Sequence, residues 1–89
     1  MLEYHAAYYW DEKTRWYTAE ILDFPGALSQ GRTLLSARRM LRDALRTMIE
    51  WRLEEGKLLP RPNTRIKAKN PDFVETIRPR VRCESGAQS

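Results

Sequence analysis

YTAEILDFPGALSQGRTLLSA, residues 17–37, is the stretch that decides the fold. Tyr17, Ala19 and Ile21 alternate with Thr18 and Glu20, the pattern of a strand with one face against a core. Pro25 and Gly26 then turn the chain. Proline presets φ for the second position of a turn, and glycine supplies the positive φ that a type II turn needs next. Ala27 to Gln30 resumes as a short strand, closed by Gly31. Thr33 carries a hydroxyl suited to capping a helix, and Leu34 and Ala37 open an apolar repeat. The order predicts a strand, a turn, a second strand and a helix start.

The helix is expected over residues 33–55. Leu34, Ala37, Leu41, Ala44, Leu45 and Met48 recur at helical intervals and should face the sheet. The outer face is expected to carry Arg38, Arg39, Arg42, Arg46 and Arg52. Arg39 with Asp43 and Arg46 with Glu50 are spaced as i,i+4 ion pairs, each worth ~0.3 kcal/mol. Gly56 is placed to end the helix.

Upstream, residues 2–10 read as a strand with Leu2, Tyr4, Ala6, Tyr8 and Trp10 on one face. His5 and Tyr9 lie on the other, so both faces carry aromatic rings and periodicity does not say which is inside. Residues 11–15 form a charged hairpin loop, and the strand after it spans 16–22. Downstream, 57–72 is a connector marked by Pro60, Pro62 and Pro71. A fourth strand is expected at 73–81, with Phe73, Glu75 and Ile77 on one face; Pro79 confines it to an edge or ends it. Residues 1–82 read as one domain and 83–89 as a flexible tail. The expected fold is α+β, ordered β-β-β-α-β: a three- to four-stranded, mainly antiparallel sheet with one long helix on one face.

The 89 residues carry a net charge of +4. It is unevenly spread: residues 1–55 sum to −1 and residues 56–89 to +5. A basic second part attracts phosphate or acidic protein surfaces, and also serves simply to keep a chain in solution. Cys83 is the lone cysteine, so no internal disulfide forms and a reducing cytoplasm is the expected location. The first residues have neither a basic segment nor an apolar one of the secretory kind, and no apolar run is long enough to span a membrane.

Catalytic signatures are missing from the reading. His5 is the sole histidine and reads as a packed or exposed strand residue. One histidine and one tail cysteine supply neither a nucleophile–base pair nor a metal site. Asp11–Glu12 and Glu54–Glu55 are neighbours in sequence that diverge in direction. Gly26 and Gly31 are too far apart to cradle a phosphate. No enzyme, cofactor or metal is expected. Tyr4, Tyr8, Trp10 and Trp16 could stack bases of single-stranded RNA, but a small sheet also needs large rings for its core.

Tyr17, Ala19, Glu20, Ile21, Asp23, Pro25 and Gly26, followed by Gly31, Thr33, Leu34 and Ala37, resemble the HicB family of antitoxins. Glu54, Glu55 and Gly56 before Pro60 are similar to that family's helix end. The likeness runs over about residues 2–62, with 73–81 suiting the family's last strand. Phe24, Leu22 and Arg32 stand where the family usually has Leu, Pro and Asp, and this helix is arginine-rich rather than acidic. The resemblance implies a truncated ribonuclease-H-like fold without hydrolase activity. It implies a partner, a small basic HicA-type mRNA-cleaving toxin, and occlusion of that toxin by binding. Glu3, Glu20 and Asp23 are then the expected acidic contacts. Asp23, Phe24, Pro25, Gly26, Gly31 and Thr33 shape the motif loop. Many HicB relatives carry a C-terminal DNA-binding module; the segment after Glu55 has no second helical pattern, so specific DNA binding is not expected. Self-association into a homo-oligomer, a dimer or tetramer, is expected through an exposed edge strand or spare aromatic surface. The alternative is a non-catalytic RNA-binding module using the strand aromatics with Arg61, Arg65, Lys67, Lys69, Arg78, Arg80 and Arg82.

Overall fold

The computed structural model describes residues 2–79. The elements run β1 (Tyr4–Asp11), β2 (Trp16–Ile21), β3 (Leu28–Gly31), α1 (Leu34–Glu54) and β4 (Phe73–Ile77). The four strands form one sheet in the order β3-β2-β1-β4, every neighbour antiparallel. With α1 across one face, this is the α+β arrangement expected. Arg80, Arg82, Cys83 and the expected tail lie outside the described residues.

The short-range signals act as the residue chemistry requires. Gly26 takes φ +96° and the Ala27 amide donates to the Phe24 carbonyl at 3.2 Å, which closes the type II turn. Thr33 Oγ1 accepts from the Ser36 amide at 3.0 Å and caps α1. Gly56, at φ +71°, ends it: the Gly56 amide bonds to the Leu53 carbonyl and the Lys57 amide to the Arg52 carbonyl. These two bonds are the Schellman pattern.

The core lies between α1 and the inner face of the sheet. Tyr4, Ala6, Tyr8, Ala19, Ile21 and Ile77 line it from the strands, Phe24 and Ala27 from the turn, and Ala37, Leu41, Leu45 and Ile49 from the helix. Alanines under the helix let it come close, and Gly31 lets its first turn come closer still. A Cβ on Gly31 would lie 2.6 Å from the Ala37 amide nitrogen. Tyr4, Tyr8 and Phe24 supply bulk; the Tyr4 and Phe24 rings meet edge to face at 5.3 Å. Both buried phenols reach partners at the rim, Tyr4 on the Pro60 carbonyl at 2.7 Å and Tyr8 on Glu75 at 2.5 Å.

Several helix assignments change. Ile49 belongs to the buried stripe, while Leu34 and Met48 are only partly buried and Ala44 half-buried. Arg38 and Arg52 leave the outer face. Arg38 pairs with Glu75 at 2.8 Å, and the Arg52 guanidinium sits 5.0 Å from the centre of the Phe24 ring. Their long stems let them reach down the flanks of α1. The expected Arg39–Asp43 and Arg46–Glu50 pairs do not form: Asp43 binds Arg46 at 2.8 Å, one residue nearer in sequence and equally reachable on a helix surface.

Candidate protein-binding surface

The motif loop is built around Asp23, which is 6% exposed. Its Oδ1 accepts from the His5 amide at 2.8 Å. Its Oδ2 bonds the His5 ring Nδ1 at 2.7 Å and accepts from the Asn63 amide at 2.9 Å. One carboxylate thus joins β1, the β2–β3 turn and the connector. Burial opposes its charge, but the backbone bonds from His5 and Asn63 and the His5 ring outweigh that, holding the carboxyl below the usual range.

This placement corrects the expected acidic patch. Glu3, Glu20 and Asp23 do not meet. Asp23 is consumed inside the loop. Glu3 is paired with Arg78 at 2.5 Å. Glu20 accepts from the Tyr9 phenol at 2.8 Å, and burial with that carboxylate beside it pushes Tyr9 up to about 12. Ala7 lies opposite Glu20, and Glu3 is four residues before Ala7, just ahead of β1, roughly 13 Å away.

A second cluster joins helix to sheet on the inner side. Glu75 receives both the Tyr8 phenol and Arg38, and Arg38 also lies over the Phe73 ring at 5.9 Å. Burial, then Glu75, raises the Tyr8 phenol well above its ordinary value. Nothing in the spacing of Tyr8, Arg38 and Glu75 announces this contact, because it spans three elements. Ile49 was findable by extending the Leu41, Leu45 interval of four. The His5–Asp23 clip had no signal in the sequence, because it joins a strand to a turn 18 residues away.

The outer face of the sheet carries no helix. Along one row across it stand Leu28, Glu20, Ala7 and Val74, side by side by register. Leu28 and Val74 are 63% and 54% exposed. The connector returns over the β1–β4 end of this face, leaving a hollow of about 440 Å³ lined by His5, Leu22, Ile66, Ala68, Val74 and Thr76 among others. Lys67 stands at that hollow. A central acid with an aromatic hydroxyl, flanked by exposed aliphatics, suits a protein surface carrying both basic and apolar groups.

The RNA-stacking platform does not form as expected. Tyr4 and Tyr8 are fully buried. Trp10 packs at a tilt against Tyr17, ring centres 4.9 Å apart, and Arg32 covers Trp16 at 5.5 Å. Arg61, Arg65, Lys67 and Lys69 are exposed along the connector, and Arg78 is held by Glu3. Among the described residues, no three His, Cys, Asp or Glu side chains gather as metal ligands. No helix among them is long and apolar enough to cross a membrane.

A single capped helix over a β3-β2-β1-β4 antiparallel sheet, with the connector over part of the opposite face, defines a HicB-like α+β fold. The structure is similar to that of the N-terminal domain of the Burkholderia pseudomallei antitoxin HicB, with a TM-score of 0.73. The match covers 90% of this chain and 100% of that one at 18% identity. At this identity the likeness carries the fold. No family model and no curated protein sequence matches the chain.

Proposed function

We propose that this chain is a HicB-like antitoxin, or a stand-alone relative, that binds and occludes a small basic HicA-type mRNA-cleaving toxin in the cytoplasm. The observation that carries the reading is the likeness of the whole fold to the HicB N-terminal domain. Electrostatics then choose the face. Arg38, Arg39, Arg42, Arg46 and Arg78 gather between α1 and the end of β4; Glu75, Asp43 and Glu3 pair with three of them, and the positive charge left over disfavours a basic partner. The open sheet face offers Glu20 between Leu28 and Val74 instead. Binding there would be steric cover with charge complementarity, and Asp23 would serve by holding His5 and Asn63 rather than by contact.

The RNA-binding reading has less support, since Tyr4 and Tyr8 are in the core, Trp10 packs against Tyr17 and Trp16 lies under Arg32. The test is co-purification with the product of an adjacent small reading frame, after nuclease treatment. Glu20→Arg and Val74→Arg should each weaken the complex about tenfold or more, while Arg42→Glu leaves it intact. A neighbourhood without a small basic ribonuclease, or a complex insensitive to both outer-face variants, overturns the proposal.

A further inference from the structure

The arginines of α1 are placed against the interest of the helix. Arg42 has Arg39 three residues before it, and Arg38 and Arg46 four residues away on either side. Like charges at these spacings destabilise a helix. Asp43 is the one carboxylate among residues 34–49. Arg39, Arg42 and Arg46 are exposed, so packing does not require them either.

These side chains close on a hollow of about 350 Å³, a size usual for small-molecule sites. Arg38, Arg39, Arg42 and Arg46 line it from α1, and Arg78 lines it from the end of β4. Three of the five are tethered to carboxylates, each through one nitrogen. Arg38 Nε binds Glu75 at 2.8 Å, an Arg46 terminal nitrogen binds Asp43 at 2.8 Å, and Arg78 Nε binds Glu3 at 2.5 Å. A guanidinium has five N–H donors, so each is oriented and still has donors to give. Arg39 and Arg42 have no carboxylate partner among the described residues. The rest of the lining is apolar: Leu35, Leu45, Ile77 and Pro79. Leu35 is 60% exposed there.

We infer that this hollow binds a purine nucleoside diphosphate, with its phosphates on Arg39 and Arg42 and its base against the apolar lining. Guanidinium forks match phosphate oxygens in pairs. Two unpartnered cations suit a chain of two phosphates better than a single one. A bare inorganic anion would leave Leu35 and Ile77 unused, whereas a flat ring covers aliphatic surface and also stacks on guanidinium planes. Leu35 and Arg42 are seven residues apart on one face of α1, ~10.5 Å along its axis, a span that a nucleoside diphosphate can bridge.

A nucleic-acid strand fits the same charges less well, because it needs a basic track that continues past the hollow. Along α1 the row of arginines stops at Glu50, four residues beyond Arg46 and on the same face. Lys67 of the connector lies on the other face of the sheet, beside His5 and Thr76. The positive charge is therefore gathered at one concavity.

The inference is independent of the toxin-binding reading, which uses the opposite face of the sheet. Isothermal titration calorimetry on the full chain tests it, with adenosine diphosphate, guanosine diphosphate, inorganic pyrophosphate and adenosine as probes. At least one diphosphate should bind once per chain, about tenfold tighter than pyrophosphate, and adenosine should bind more weakly than either. Arg42→Glu should weaken the nucleotide about 100-fold and Arg39→Gln about tenfold. Leu35→Ser should weaken it about fivefold and leave pyrophosphate unchanged. Without ligand, Arg42→Glu should melt no lower than wild type, since the new carboxylate faces Arg38, Arg39 and Arg46; its loss of binding is then not a loss of fold. Absence of binding by both diphosphates, equal affinity for pyrophosphate, or wild-type affinity in both arginine variants overturns the inference. So does a short single-stranded RNA that binds more tightly than either diphosphate and displaces it, which would make the flank a strand-binding surface.

Discussion

Replacing Asp23 with alanine removes the acceptor for two amides and one imidazole ring. A hydrogen bond to a charged group is worth ~1.5–3 kcal/mol. The three are not additive, and water can reach His5 and Asn63, which are half-buried and exposed. The loss should therefore fall near ~3 kcal/mol, out of the ~4–13 kcal/mol that a chain of 89 residues typically has. The corresponding fall in Tm is roughly 12–24 °C. Urea unfolding followed by tryptophan fluorescence reads the difference. The pH dependence gives a second, independent readout. Asp23 has its carboxyl held below the usual range in the folded state, so the unfolded chain binds more protons as the solution is acidified. The stability it contributes is present above its unfolded pKa, ~3.9, and is lost as pH falls through the lower folded value. Asp23→Asn cannot titrate, so its stability should decline less steeply below pH ~4 than that of the wild type. An alanine variant within ~0.5 kcal/mol of wild type, or identical acid slopes for wild type and Asp23→Asn, would refute the claim that this carboxylate clips three segments together.

Two glycines should respond to alanine for different reasons. Gly31→Ala forces a Cβ to 2.6 Å from helix backbone and should cost ~2 kcal/mol by overpacking; Gly56→Ala has open space but φ +71° and should cost ~1 kcal/mol through strain alone. Thermal melts of the two, beside the double variant, will show additive losses if the causes are separate. At alkaline pH, Tyr9 ionises near 12 because burial and Glu20 disfavour its anion. Its folded value lies above the unfolded one, so this contribution to stability is full below pH ~10 and is lost as pH rises toward 12. Absorbance titration of tyrosinate in wild type and Tyr9→Phe checks it, and a Tyr9 that ionises near 10 would contradict the geometry.

The parts of this protein legible from residues alone are those set by short-range chemistry. Pro25 and Gly26 make their turn, Thr33 caps and Gly56 ends the helix, and the two apolar periods mark strand and helix, because each depends on neighbours within about four positions. The HicB-like order of those signals carried the architecture with them. The fate of the charged side chains could not be read in the same way. Asp23 is separated from Asn63 by 40 residues and Arg38 from Glu75 by 37. Whether a carboxylate is a buried clip or an exposed contact depends on which distant donors the fold brings to it. Tertiary structure alone took Asp23 out of the acidic surface, drew Arg38 and Arg52 off the outer face of the helix, and brought Arg78 beside the helix arginines. The physical reason is that solvation, pairing and exposure are properties of a three-dimensional neighbourhood, whereas φ preferences and periodicity belong to the chain itself.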